Sequence, residues 1–310
     1  MERMMRNRPG IIAAVTALSL LITCAAYADA PVARLDQHRN QALVALMQRT
    51  DADSLAAAGL LSVFGRNDQP LLWMQRSVAA APQRADLVWL ELQICLKSPH
   101  CNPDPIEQHL RALDPSNGAG WLVTLDRAYL GRNQATMDTA MNAIAHSDHV
   151  DIYWTALIAH LTEATTRTGK MPLSEAEVEI IGILAAQVVP AYQIIGKSCS
   201  AERLLRSGVS STCRGVAAAL QRGDTLITEG VGNSLALSVW PEQSAPWRAA
   251  SEAQRSSQYR MSLEAKLDAE PWSEGRAKRF LILCKRQRRE RDVLVARIVD
   301  AGEQPNPPEL

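Results

Sequence analysis

The chain has 310 residues, enough for one large domain or two ordinary ones around a sizeable core. Its residues are 47% apolar and 21% charged, which excludes wholesale disorder, a collagen-like chain and a multi-span membrane protein. Thirty-three basic residues balance 33 acidic ones, so there is no global field to recruit nucleic acid, and no nucleic-acid partner is expected.

At the N-terminus Arg3, Arg6 and Arg8 precede an uncharged run over residues 11–26, and Ala26-Tyr27-Ala28 places small residues at the spacing of a signal peptidase site. The run falls short of the about 20 apolar residues that span a bilayer. Residues 1–28 are therefore expected to be a cleaved signal peptide, with the cut after Ala28, leaving a nearly neutral periplasmic or secreted protein. Cys24 follows Leu21-Ile22-Thr23, where a lipoprotein box would carry a small residue in place of Thr23, so lipidation is the weaker alternative. Five cysteines lie beyond residue 28. In an oxidising compartment their short spacings pair Cys95 with Cys101 and Cys199 with Cys213. Cys284 stands among Phe280, Leu281, Ile282 and Leu283 and is expected as a buried thiol.

From Asp53 four segments show one apolar spacing: Ala57, Leu60, Phe64; Trp89, Leu92, Leu96; Leu122, Leu125, Tyr129; Trp154, Leu157, Leu161. Their first members lie 32, 33 and 32 residues apart, and offsets of three and about seven put each trio on one helical face. The first three are each followed by a second amphipathic pattern: Met74, Val78, Ala81; Ile106, Leu110, Leu113; Met137, Met141, Ile144. Breaks at residues 65–70, 98–105 and 131–133, with Pro82 and Asp114-Pro115 between hairpins, separate the helices.

In these trios, in Ala128-Tyr129 and in the Leu113-Asp114-Pro115 ending, residues 53–164 resemble the tetratricopeptide repeat in a degenerate form. The family period is nearer 34, and Gln93 and Asp126 stand where it has a small residue. The resemblance implies a superhelical scaffold that holds a protein or peptide, and no chemistry. In stacked hairpins the residues flanking the core trio, Val123 and Arg127 in the third repeat, would face the ligand.

From residue 174 onward the pattern stays helical without a period. Ser174-Glu175-Ala176-Glu177 reads as a capping box opening a helix through Val189 before Pro190, with Glu175, Glu177 and Glu179 on its surface. Further helices are predicted at about residues 200–206, 212–222, 224–240, 246–267 and 273–300, with Gly223 and Pro241 as stops. Strand signals are almost absent. Residues 276–297 carry nine bases against Glu290 and Asp292, and Lys285 to Arg289 would wrap the whole circumference of a single last helix. That helix is expected at the rim, where Arg286, Arg288 and Arg289 could contact an anionic membrane surface or an acidic partner.

Gly196-Lys197-Ser198 lacks the first glycine and the preceding strand of a phosphate loop, and Gly118-Ala119-Gly120 and Gly230-Val231-Gly232 lack the third glycine of a dinucleotide fingerprint. His100 and His109 with Cys95 and Cys101 do not have zinc-site spacing, and a disulfide would take both sulfurs. His146, His149, Asp148 and Asp151 fall at a hairpin junction where polar residues cap helices. No cofactor and no metal are expected, and the common hydrolase signatures are missing.

The expected fold is all-α, a short solenoid of hairpins within residues 29–165 packed against a helical region at 166–302 in one continuous body, with a disordered tail at 303–310. The expected function is that of an exported non-catalytic scaffold or adaptor for a protein or peptide. The alternative is a cell-envelope enzyme, glycan or peptide hydrolase-like, indicated if two carboxylates or a Ser/His pair converge in a cleft.

Overall fold

The structure, a computed structural model, describes residues 29–63, 69–187 and 192–308. The signal-peptide expectation, Cys24, Phe64, Val189 and Pro190 fall outside the described residues. Within them the chain is all-α, with sixteen α-helices and no strand.

The predicted hairpins are present. After α1 (Asp29–Leu46), α2 (Ala52–Ser62) starts at Asp51, whose carboxylate accepts from the Ser54 N–H at 3.1 Å, and turns back through α3 (Pro70–Ala80). Next come α4 (Ala85–Cys95) and α5 (Asp104–Leu113), then a 3-10 turn (Gly118–Trp121) leading into α6 (Leu122–Leu130), and α7 (Gln134–Ala145), capped by Asn133. The apolar spacing picked out the faces that pack: Leu60, Leu92, Leu125, Leu157 and Leu161 are buried, as are Met74, Leu110 and Ile144. Leu96 is the exception, because α4 ends one residue earlier and leaves it exposed at the C-cap.

Helix α8 (Trp154–Thr166) is covered from several sides, packing on α1, α2 and α4, on α9 (Leu173–Ala185) and on α15 (Glu274–Arg286). The chain continues through α10 (Tyr192–Ser198), the short α11 (Ala201–Leu204), α12 (Val209–Gln221), α13 (Leu226–Val239) and α14 (Ala245–Leu267) to α15 and α16 (Glu290–Asp300). Helix α12 lies against α7, and one hydrophobic cluster runs from Leu43 to Val293 across both halves. Helices α12 and α13 approach so closely that a Cβ on Gly232 would stand 2.5 Å from the Gln221 nitrogen. This is the role of Gly232 in the Gly230-Val231-Gly232 sequence, which lies inside α13; Gly230 faces open space.

Three local expectations are corrected. The capping box at Ser174 is not formed: α9 begins at Leu173 after Pro172, and the Ser174 N–H and hydroxyl donate to Glu274 Oε1 of α15, at 3.0 and 2.5 Å. Glu177 is not on the surface but 0% exposed, its Oε2 accepting from the Trp272 indole N–H at 3.0 Å, and the nearly buried Glu179 pairs with Arg39 of α1 at 2.8 Å. The last helix is not continuous either. Gln287 and Arg289 have extended backbones, so the chain turns a corner between α15 and α16. The basic run therefore wraps no helix. Residues 303–308 carry no helix or strand.

Both expected disulfides are present, Cys95–Cys101 and Cys199–Cys213, and Cys284 is free and buried. Cys95 is the last residue of α4 and Cys101 lies just before α5, so that bridge closes a hairpin turn. Cys199–Cys213 ties the end of α10 to the first turns of α12.

Two predictions follow from this packing. Replacing Cys199 and Cys213 together by Ser should destabilise the protein by about 3 kcal/mol in urea unfolding, and the Cys95–Cys101 pair by about 2 kcal/mol, reflecting their loop lengths. The second concerns pH. Burial pushes Glu177 up to about 8 and Glu290 up to about 7, from 4.5 in the unfolded chain. The folded state thus holds protons that the unfolded chain has already released, and this stability is full below about pH 4 and is lost as pH rises through 7 to 8. The midpoint temperature should fall between about pH 5 and pH 8, and Glu177→Gln should flatten that fall without lowering the midpoint at pH 5.

Candidate functional site

The site begins with a polar connection between two loops. Asn117, ahead of the 3-10 turn, accepts through Oδ1 from the N–H groups of Ala119 and Asp151, at 3.0 and 2.9 Å, and donates through Nδ2 to the Asp151 carbonyl and the Tyr153 hydroxyl, at 2.9 and 3.1 Å. Gly118 N–H donates to the His149 carbonyl at 2.8 Å, and Asp148 N–H to the Ser116 carbonyl at 2.9 Å. The segment from His149 to Tyr153 is therefore held along its length, although it belongs to no helix.

Where this segment enters α8, the local sequence supplies no cap. The N-cap residue is Tyr153, in the left-handed region at φ 60°, which costs a non-glycine residue about 1–2 kcal/mol. The opposing stabilisation comes from two sides. The Tyr153 hydroxyl donates to Asp114 Oδ2 at 2.9 Å. Asp224, from the turn between α12 and α13, accepts from the Ile152 N–H at 2.9 Å and the Trp154 N–H at 2.8 Å, capping α8 from about 70 residues away in sequence. Gly223 makes this approach possible, since a Cβ there would meet Thr228 Cγ2 at 2.4 Å and the Val150 carbonyl at 2.7 Å. Asp224 is 1% exposed, and burial, with the Asp151 charge nearby, pushes its carboxyl up to about 7.

Above these groups lies a pocket of about 510 Å³ between α8 and the α15–α16 corner. Its floor is Asp114, His149, Asp151, Tyr153 and Asp224; Ala156, Ala159 and His160 form the α8 wall, and Lys285, Arg286 and Arg288 stand on the other side, with Cys284 behind. His149 Nε2 is 3.8 Å from Asp114 Oδ2 and 3.7 Å from Asp151 Oδ2. Arg288 forms an ion pair with Asp151, and Lys285 with Glu163. Burial raises the Asp151 carboxyl, opposed by His149 and Arg288. The Cys284 thiol is also pushed well up by burial, which makes it a poor nucleophile. Among the described residues no group of three His, Cys, Asp or Glu side chains is placed to hold a metal ion.

The residues read from sequence as partner-binding divide sharply. Val123 is only 6% exposed and joins the main core, so it cannot face a ligand: the α6 turn that carries it is covered on that side too. Arg127 is exposed but pairs with Asp104 at the start of α5, with Glu107 3.9 Å away. Arg286 and Arg288 line the pocket, whereas Arg289 turns inward to the Gln221 carbonyl and Glu229, at 2.9 and 3.0 Å. Asp151 and His149, read as capping residues, are instead at the pocket floor, and Asp114 and Asp224 carried no sequence signal beyond their turns. Compared with protein-family models, curated proteins and solved structures, the chain matches none.

Loss of the Asp224 cap should be felt throughout this site. Asp224→Ala should cost about 2–4 kcal/mol in urea unfolding, the sum of two buried backbone N–H groups left without acceptors. Asp114→Ala, which removes the Tyr153 hydroxyl contact and the longer ones to the Ser116 hydroxyl and His149 but leaves no backbone N–H unpaired, should cost less, about 1 kcal/mol.

Proposed function

We propose that the protein is an exported, non-catalytic binding protein that holds a peptide segment of a partner in the pocket between α8 and the α15–α16 corner. One observation carries this reading: the pocket's acids are committed to groups that catalysis would need them to leave. Both Asp224 oxygens accept backbone N–H bonds, Asp114 accepts the Tyr153 hydroxyl, and Asp151 is paired with Arg288. Such a floor is rigid and preorganised for recognition, and a concave pocket with a few convergent polar groups suits a small ligand or a chain end. The helical hairpins from α2 to α7, with their degenerate tetratricopeptide-like spacing, serve as the scaffold.

Export is supported by the two disulfides, which fit an oxidising compartment, together with the basic and apolar N-terminal sequence. No helix among the described residues is long and apolar enough to cross a membrane. A membrane-surface role for residues 276–297 has less support, because their arginines turn to neighbouring helices: Arg276 to Asp268 at 3.3 Å, Arg291 to Glu229 at 3.3 Å and Arg297 to Glu264 at 2.8 Å.

The alternative, an envelope hydrolase acting on glycan or peptide, is favoured by one feature: carboxylates do converge in a cleft, and Asp224, held near 7, could give up a proton at neutral pH. Site-directed cross-linking separates the two readings. A photo-reactive residue in place of His160, which lines the pocket with an exposed side chain, should capture a peptide or protein of the envelope, and one in place of Arg127 should capture much less, while the purified protein leaves envelope glycan and peptide intact. Soluble cleavage products that disappear in Asp151→Asn would overturn the binding reading in favour of the hydrolase.

A further inference from the structure

The pocket floor has one polar atom with nothing to bond. Asp151 is 4% exposed; Arg288 pairs with its Oδ2, but Oδ1 is buried without a hydrogen-bond partner. The Asn117 side chain fixes the Asp151 backbone at the floor, holding both its N–H and its carbonyl. A buried acceptor without a partner is unfavourable, and more so when charged, so a donor that satisfied Oδ1 would be stabilised there.

The surrounding charge says what kind of donor. Asp114, Asp151 and Asp224 meet at this floor with His149, and among the described residues the only guanidinium paired with them is that of Arg288. Three carboxyls against one guanidinium suit an ammonium group over a neutral amide, since its charge would favour the ionised form of acids that burial has raised. The rim is of opposite sign. Lys285 is engaged with Glu163, but Arg286 is exposed, and among the described residues no carboxylate pairs with it. Negative at depth and positive at the mouth is the pattern for a ligand that enters ammonium first with a carboxylate behind. Ala156 and Ala159 leave room beside them for a small apolar body, and about 510 Å³ lies within the 300–1,000 Å³ typical of sites for ligands larger than one amino acid.

We propose that the pocket binds the free amino terminus of a short peptide, its ammonium on the Asp151 carboxylate and its trailing carboxylate on Arg286. This rests on the binding reading above and specifies which end of the peptide enters. Arg288 pairs with the same carboxylate through Oδ2, and its side chain is half exposed and lies in the non-helical corner. The ligand ammonium and the Arg288 guanidinium thus compete for Asp151.

Equilibrium dialysis of the full mature chain against a random tripeptide pool, the same pool N-acetylated, and the pool as C-terminal amides tests the assignment. Free-amine peptides should be retained, and acetylation should reduce retention about tenfold or more through loss of the charged donor. Amidation should weaken retention severalfold in the wild type and not in Arg286→Ala. Asp151→Asn should lose retention, whereas Arg288→Ala should increase it, opposite signs that general damage to the fold would not produce. Should Asp151→Asn fail to fold by circular dichroism, Arg286→Ala and Arg288→Ala, both at exposed side chains, still decide. Equal retention of the acetylated pool, no retention of the free-amine pool, or displacement by putrescine at equal concentration would each overturn the proposal. If the residue at position 160 still captures a peptide in that case, only the choice of end is wrong; if it captures nothing, the binding reading falls with it.

Discussion

Two hydrogen bonds from the start of α8 to Asp224 hold the two halves of this molecule in register. Helix α8 has no cap of its own and enters through a left-handed tyrosine, so its first N–H groups need an acceptor from elsewhere. The same turn goes on to meet α16: the Glu290 N–H donates to the Asp224 carbonyl at 2.7 Å, and the Glu290 carboxylate accepts from the Leu226 N–H at 2.7 Å. The starts of α8, α13 and α16 are thereby joined through two buried acids. Burying them is unfavourable, which is why both carboxyls are pushed up to about 7. What this arrangement gives is position: α8 is fixed against the end of α15, and the pocket is the space left between them.

Sequence showed the helices well and their neighbours poorly. Apolar residues three and four apart fix which face of a helix is buried, so Leu92, Leu125 and Leu157 were legible as core, and turn residues marked most ends. Disulfides at short spacing were legible for a related reason, being local in sequence. Periodicity says nothing of which distant helix does the covering. It therefore missed that both sides of α6 at Val123 are enclosed, that α9 takes its cap from Glu274 in place of Ser174, and that Glu177 faces Trp272. The break at Gln287 to Arg289 was hidden as well, since no Gly or Pro marks it; it depends on Glu290 bonding to the α12–α13 turn. The candidate site suffered most, because its acids come from three connectors far apart in the chain. Gly223-Asp224-Thr225 reads only as a turn until Ile152 is placed against it.

The pocket also lies away from where a repeat array would put it. Its residues come from the connector after α5, the α7–α8 connector and α8 itself, together with the α12–α13 turn and the α15–α16 corner, so it exists only once the C-terminal half has docked on the hairpins. Opposite charges share this junction, with acids on the floor supplied mainly by connectors and bases from the corner above. Under the proposed binding reading, such a site would discriminate by the placement of charge along the ligand, while the helical walls on which it stands need not move.

The free Cys284 has a consequence for how the chain acquires its covalent form. The native pairs close loops with sequence separations of 6 and 14, whereas the nearest alternative partner of Cys284 is Cys213, 71 residues away. Loop-closure entropy disfavours the longer loop by about 1.5 kcal/mol relative to the Cys199–Cys213 closure. Timing acts in the same direction. In a chain that meets oxidant as it emerges N-terminus first, Cys101 and Cys213 find their partners before Cys284 arrives, and docking of α15 on α8 then buries the remaining thiol. Among the five cysteines of the described residues, their order along the chain thus protects against scrambling, with the last sulfur hidden by tertiary structure after the other four have paired.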